Sequence, residues 1–455
     1  MISKRRFVAG AAAATVVPLL SKGGKAAQEE GADFTLRAEQ VDLQLSEQGP
    51  STALLRYSGA GALPVIRIRK GAAAAFRIRN DLTEPTSLQW HGLRGIGALD
   101  EPTDIPSDSI APGEDRTARV LPLDPGTAWF HPDPSASNQT ARGLRGLLIV
   151  EESEPPAVDQ DLVALFGDHN LSAGHSLEFG SRGLSNTVAT IVTTNGWPSP
   201  ETVTSALGAR LRVRLVNGST QRVMVVACEG ARPVIVAIDG QPSDLFAPVR
   251  GVVPIAPGAR FDVMLDMPAT TDAAVRFVLK GTEAIQGRVE PERPLLVIRT
   301  AGPAKAPKPP IAPLDPNPAL PREIPLEAAK RVDLVIEGAA RSSEDPSVIW
   351  TINGIDGRTA SKPVLSVRRG DAVTLGFVNK SAMTIPLRFH GLVLRLLHAK
   401  DDGWEPYWRD TLLLPPNSSN HAAFLADRPG RWPMTSGFDD LTLAGLRCWI
   451  EVKPA

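Results

Sequence analysis

Residues 64–92 read PVIRIRKGAAAAFRIRNDLTEPTSLQWHG, and residues 363–391 read PVLSVRRGDAVTLGFVNKSAMTIPLRFHG. The landmarks stand in one register: Gly71 is followed nine residues on by Asn80 and eleven further by His91, as Gly370 is by Asn379 and His390. A third copy lies between them, where Gly208 leads to Asn217 at the same interval and Cys228 takes the position eleven further on. Within the copies, Val65-Ile66-Arg67-Ile68-Arg69 and Leu211-Arg212-Val213-Arg214-Leu215 alternate apolar and charged side chains. A period of two puts one face on a core and the other in water, so these segments are expected as strands of half-buried sheets. The glycines between paired strands supply turns. Each copy has the size of a small antiparallel sandwich, and three in tandem predict an all-β chain.

Length agrees with the repeat count, since 455 residues allow about three domains. The 49 basic and 50 acidic side chains nearly cancel. That balance offers no global field for nucleic acid or an anionic membrane, and no stretch after the N-terminus is long and apolar enough to span a bilayer. At the N-terminus, Lys4-Arg5-Arg6, an apolar run from Phe7 to Leu20 and small residues up to Gln28 have the layout of an export signal over residues 1–28. Ser3-Lys4-Arg5-Arg6-Phe7-Val8 resembles the twin-arginine export motif with Lys4 in place of its first arginine, so a periplasmic location is expected. Cys228 and Cys448 fall in different repeats and are expected as free thiols.

Residues 34–152 make the first unit and 159–300 the second, with the turn Ile110-Ala111-Pro112-Gly113 repeated as Ile255-Ala256-Pro257-Gly258. Residues 301–321 are rich in proline and read as an extended, solvated linker. The third unit covers 324–455, where Gly445-Leu446-Arg447 echoes Gly143-Leu144-Arg145. The acidic loop with Asp100, Glu101, Asp104 and Asp108 reads as a solvated surface.

Further segments carry a family likeness. Gln89-Trp90-His91-Gly92, Trp129-Phe130-His131-Pro132, residues 139–151, Trp350-Thr351-Ile352-Asn353-Gly354, Arg409-Asp410-Thr411 and Pro429-Gly430-Arg431-Trp432 resemble the three-domain multicopper oxidases, in the family's order and over nearly the whole mature chain. The resemblance implies three tandem cupredoxin-like Greek-key β-sandwich domains. In catalytic members it also implies a mononuclear blue copper in domain three and a three-copper cluster between domains one and three, held by ten histidines and a cysteine.

Set against those motifs position by position, this chain keeps three ligands. Gln89 stands for the first histidine of the first motif and His91 for the second; His131 is kept in the second motif, with Asp133 in its partner position. In the third motif Ile385 and Arg388 replace histidines and His390 remains. The fourth motif aligns on Thr435-Ser436-Gly437, Leu441 and Leu446, and Ser436 stands where the thiolate would be. A blue copper site requires that thiolate. The expectation is therefore no catalytic residues, no laccase-type activity and no cofactor, with a single copper or zinc at His91, His131 and His390 as the alternative. Arg388 and Asp133 are expected to form an ion pair across the domain one–three interface. The resulting picture is a monomeric, non-catalytic envelope scaffold with an unidentified protein partner. In its losses it is similar to the family's copper-free exported cell-division member. The competing picture is an oxidoreductase or metal-binding protein using the residual histidines.

Overall fold

A computed structural model describes residues 32–46, 49–58, 63–95, 109–133, 138–172, 175–178, 189–281, 291–340, 348–397 and 403–455. The export signal and the acidic loop at 100–108 lie outside the described residues. Nearly all regular structure is strand, in six sheets that fall into three pairs along the chain. Among the described residues no helix is long and apolar enough to cross a membrane.

The three copies occupy equivalent places. Ala74–Asn80, Arg210–Asn217 and Ala372–Asn379 each pair in parallel with the opening strand of their unit: Ala32–Leu43, Gln160–Leu171 and Lys330–Ala340 respectively. On the other side each pairs antiparallel with a later strand: Asp115–Val120, Arg260–Asp266 or Ser418–Leu425. The chain then crosses to the facing sheet through Gln89–His91, Met224–Glu229 or Ile385–Phe389. The repeated asparagine fixes that crossing. Asn80 Nδ2 donates to the carbonyls of Glu84 and Ile110, Asn217 Nδ2 to those of Arg222 and Ile255, and Asn379 Nδ2 to those of Met383 and Pro415. In each copy Oδ1 accepts the amide two residues on. One buried amide thus satisfies carbonyls on two loops that would otherwise lack partners.

Each sandwich has its own apolar core: Phe76, Phe130 and Leu148 in the first, Leu211, Val263 and Phe277 in the second, Phe377, Trp432 and Ile450 in the third. Alternation misleads in one strand. Arg210–Asn217 is buried on both faces, and Arg212 and Arg214 are each 1% exposed. Their charged face meets domain one rather than water. Arg212 is bound by Asp262 and Glu152, Arg214 by Asp161 and Asp262, and Thr127 of domain one donates to Asp262. A period of two establishes that opposite faces differ, but a second domain covers this one, and each guanidinium is tolerated there because carboxylates pair it.

The proline-rich segment is extended and mostly exposed, as its composition suggests, yet it is tied to domain two. Lys305 N donates to Leu207 O, Lys308 Nζ reaches Asp159 at 2.6 Å, and Arg210 donates to Pro309 O. Cys228 and Cys448 are both free, and burial raises the pKa of each thiol.

Candidate functional site

Two strand pairs face each other across the seam between the first and third domains. In domain one, Gln89–His91 pairs with Gly126–His131, setting Gln89 opposite His131 and His91 opposite Trp129. In domain three, Ile385–Phe389 pairs with Gly430–Ser436, setting Leu387 opposite Ser436 and Arg388 opposite Thr435. The turn Pro257-Gly258 of domain two closes the seam. His91, His131, His390, Arg388 and Asp133 all line the resulting cavity of about 30 Å³. That space suits one or two waters or a small ion.

The His131 ring stacks on Trp129 at 4.1 Å between centroids. Its Nδ1 lies 2.7 Å from Pro132 O, so Nδ1 carries the proton and donates. Nε2 is then a lone pair, and Arg388 Nη1 donates to it at 2.8 Å. His91 turns Nε2 toward Thr411 Oγ1 at 3.4 Å and Asp410 Oδ1 at 3.6 Å. His390 Nε2 lies 3.0 Å from Thr435 Oγ1. Burial, followed by the charge of Arg388, holds all three imidazoles well below their ordinary pKa, so they are neutral. Burial also lowers Arg388 to about 10, and it pushes the Asp439 carboxyl at the cavity wall up to about 7.

The hydrogen bonds of Arg388 run to His131 and to Trp90 O. Asp133 accepts from Gln89 Nε2, and its amide donates to Ser87. Asp133 acts on Arg388 through the field, with Asp410 and Asp439. Among the described residues no group of three or more histidine, cysteine or carboxylate side chains is arranged to hold a metal ion.

Behind this cavity, Ile385, Leu441 and Leu446 are at most 5% exposed and join the apolar core of domain three. Ser436 Oγ accepts from Phe438 N. Here the replacements expected to fill a copper pocket with core are packed as core.

A second polar centre, next to the first, is invisible to motif reading apart from Asp410. Arg260 of domain two is fully buried and grips both oxygens of Asp410 in domain three at 2.7 Å. It also donates to Thr127 O of domain one at 3.1 Å and to Asp239 O at 2.8 Å. Asp239 in turn accepts the amides of Arg260, Asp410 and Thr411 at 3.0 Å. Burial and the neighbouring Asp410 raise the Asp239 carboxyl to about 6. One guanidinium thus joins all three domains beside the histidine cavity.

Comparison with known proteins agrees with this architecture. A family profile described as "Multicopper oxidase" matches residues 41–155, and a second with the same description matches 329–455, together more than half of the chain. "Multicopper oxidase MmcO" of Mycobacterium tuberculosis is 26% identical over 92% of this chain and 86% of its own length. A multicopper oxidase structure from Pseudomonas thermotolerans has a TM-score of 0.78 at 26% identity, covering 93% of this chain and 99% of that one. Lac15, from a marine microbial metagenome, has a TM-score of 0.72 at 27% identity over 92% of this chain and all of its own.

These findings correct the expectation of no cofactor. The relatives and structural neighbours are multicopper oxidases, so copper is the cofactor that kinship implies. The side chains at the aligned ligand positions do not fit the full copper set. Ser436 offers no thiolate, Ile385, Leu441 and Leu446 offer no donor atom, and the His131 lone pair is engaged by a guanidinium.

Proposed function

Because the chain belongs to the multicopper oxidase family yet carries a guanidinium among its remaining ligand-position histidines, we propose that it is a family member with degenerate copper sites, serving as a non-catalytic scaffold for an envelope protein partner. The observation that carries this reading is the Arg388–His131 hydrogen bond. A cation fixed 2.8 Å from the imidazole lone pair opposes a second cation at the same nitrogen. The packed core around Ile385, Leu441 and Leu446 supports it, because a fast electron-transfer copper site needs a thiolate and an imidazole shell there. Export to the periplasm and a monomeric state belong to the same proposal, and a role in division or stress is an analogy with the copper-free family member. The pairing of Arg388 with Asp133 would tie domain one to domain three electrostatically.

Kinship with oxidases, and three imidazoles on one small cavity, favour a second reading: a metal-binding oxidoreductase using His91, His131 and His390. One experiment separates the two. Mature protein prepared with excess copper and zinc is analysed for metal by mass spectrometry and assayed for phenol oxidation. The scaffold reading expects no phenol oxidation with either metal. Phenol oxidation that tracks about one bound metal per chain, and is lost in His131→Ala, overturns it.

A further inference from the structure

We infer that the proline-rich strap between domains two and three is a docking ligand for a protein partner whose groove is lined with aromatic side chains. This deepens the scaffold reading and rests on it, naming how the partner is held. The exposure of the strap repeats every three residues. Lys308, Ile311, Leu314, Asn317 and Leu320 are half-buried, and the two residues after each of the first four are exposed. A period of three is that of the polyproline II helix, a three-sided rod with no internal hydrogen bonds. The backbone agrees: from Ala306 to Pro316 no amide donates to a backbone carbonyl among the described residues.

One edge of the rod is taken. Lys308 Nζ pairs with Asp159 at 2.6 Å and Asn317 Nδ2 donates to Gln241 Oε1 at 2.9 Å, both partners in domain two. Leu320 lines a small cavity with Leu392 and Trp408 of domain three. No proline stands on this anchored edge; the other two edges carry them. Pro307, Pro310, Pro313 and Pro316 follow one another at three-residue steps and are all exposed. They form one ridge roughly 28 Å long. Pro309 and Pro318, also exposed, lie on the neighbouring edge. A connector that needed only stiffness would gain it from proline on any edge, the anchored one included. Here every proline from 307 to 318 is left in solvent. Exposed proline ridges pack into slots between aromatic rings, and a rod already held straight loses little conformational entropy on binding. The carbonyls from Pro310 to Pro316 accept no hydrogen bond among the described residues, so they stay open to donors from such a groove.

The test presents the full chain, immobilised, to an extract of soluble envelope proteins from the source cells. Pro310→Ala/Pro313→Ala, on an exposed edge, should unfold with the wild-type midpoint. The expected result is a protein retained in stoichiometric amount by wild type and about tenfold less by the double variant. A synthetic peptide of residues 305–318 should release it, and the same peptide with both substitutions should not, a readout that needs no variant of the folded chain. A benzophenone side chain in place of Ala312 should then crosslink to the retained protein beside aromatic residues. Equal retention by wild type and variant, release by both peptides or by neither, no retained protein, or a crosslink far from any aromatic residue overturns the inference. Phenol oxidation by the metal-loaded chain overturns the scaffold reading beneath it, a distinct result.

Discussion

Replacing Arg260 by methionine should destabilise the protein by about 3–5 kcal/mol, because the change strips the cation from a fully buried junction while leaving its carboxylates in place. The structure sets that magnitude. The guanidinium is wholly inaccessible, makes two 2.7 Å bonds to Asp410, and donates to carbonyls of Thr127, Asp239 and Gly258. Methionine fills much of the volume, so the loss is electrostatic and not a cavity effect. Asp410, held below the usual carboxylate range against its burial by Arg260 and His91, and the nearby Asp239 would then share one buried site without a direct cation. The assay is guanidinium chloride unfolding at pH 7 followed by tryptophan fluorescence, with calorimetry to show whether the transition remains single. Adding Asp410→Asn should recover roughly 1–3 kcal/mol, since the stranded charge goes with it. A loss below about 1 kcal/mol, or a double variant whose cost equals the sum of the singles, would refute the assignment of this junction as a coupled ionic lock.

Two other outcomes are expected. Asp439 has its pKa raised to about 7 in the folded protein from an ordinary value of 3.8, so its folded form binds a proton more tightly than the unfolded chain. Its contribution is fully present below about pH 4 and lost as pH rises through 7, so Asp439→Asn should raise Tm above pH 7 and change it little near pH 4, measured against wild type across pH 4–8. Asn217→Ala removes two 2.8 Å bonds and leaves the carbonyls of Arg222 and Ile255 buried without that donor; a loss of about 2–4 kcal/mol by denaturant unfolding is expected, and Asn379→Ala should behave alike.

The fold was legible because the repeat preserves the residues that geometry demands. Asn80, Asn217 and Asn379 do one job three times, and the Gly143 and Gly445 echoes share φ near +110°, where glycine is favoured. The three cavity histidines and Arg388 were legible through family motifs, since His91, His131 and Arg388 sit in short strands whose register fixes where they point, and His390 directly follows the strand that carries Arg388. The ionic junction was not. Asp239 and Asp410 are separated by 171 residues in sequence, and Arg260 opens a strand where an arginine reads as a surface residue. Nothing local signals that its partner comes from another domain. The same failure accounts for Arg212 and Arg214, whose alternation marks a face but not what covers it.

The order in which the chain is synthesised gives Arg260 a further consequence. Its principal counter-ion follows 150 residues later, after the proline-rich connector, so a nascent chain holding only the first two domains presents that guanidinium, and the carbonyls around it, to solvent. Completion of the seam waits on the last domain. Early domains therefore remain open at one end until the third domain is made, and a chain truncated before Asp410 would lack the final closure although most of that domain is present.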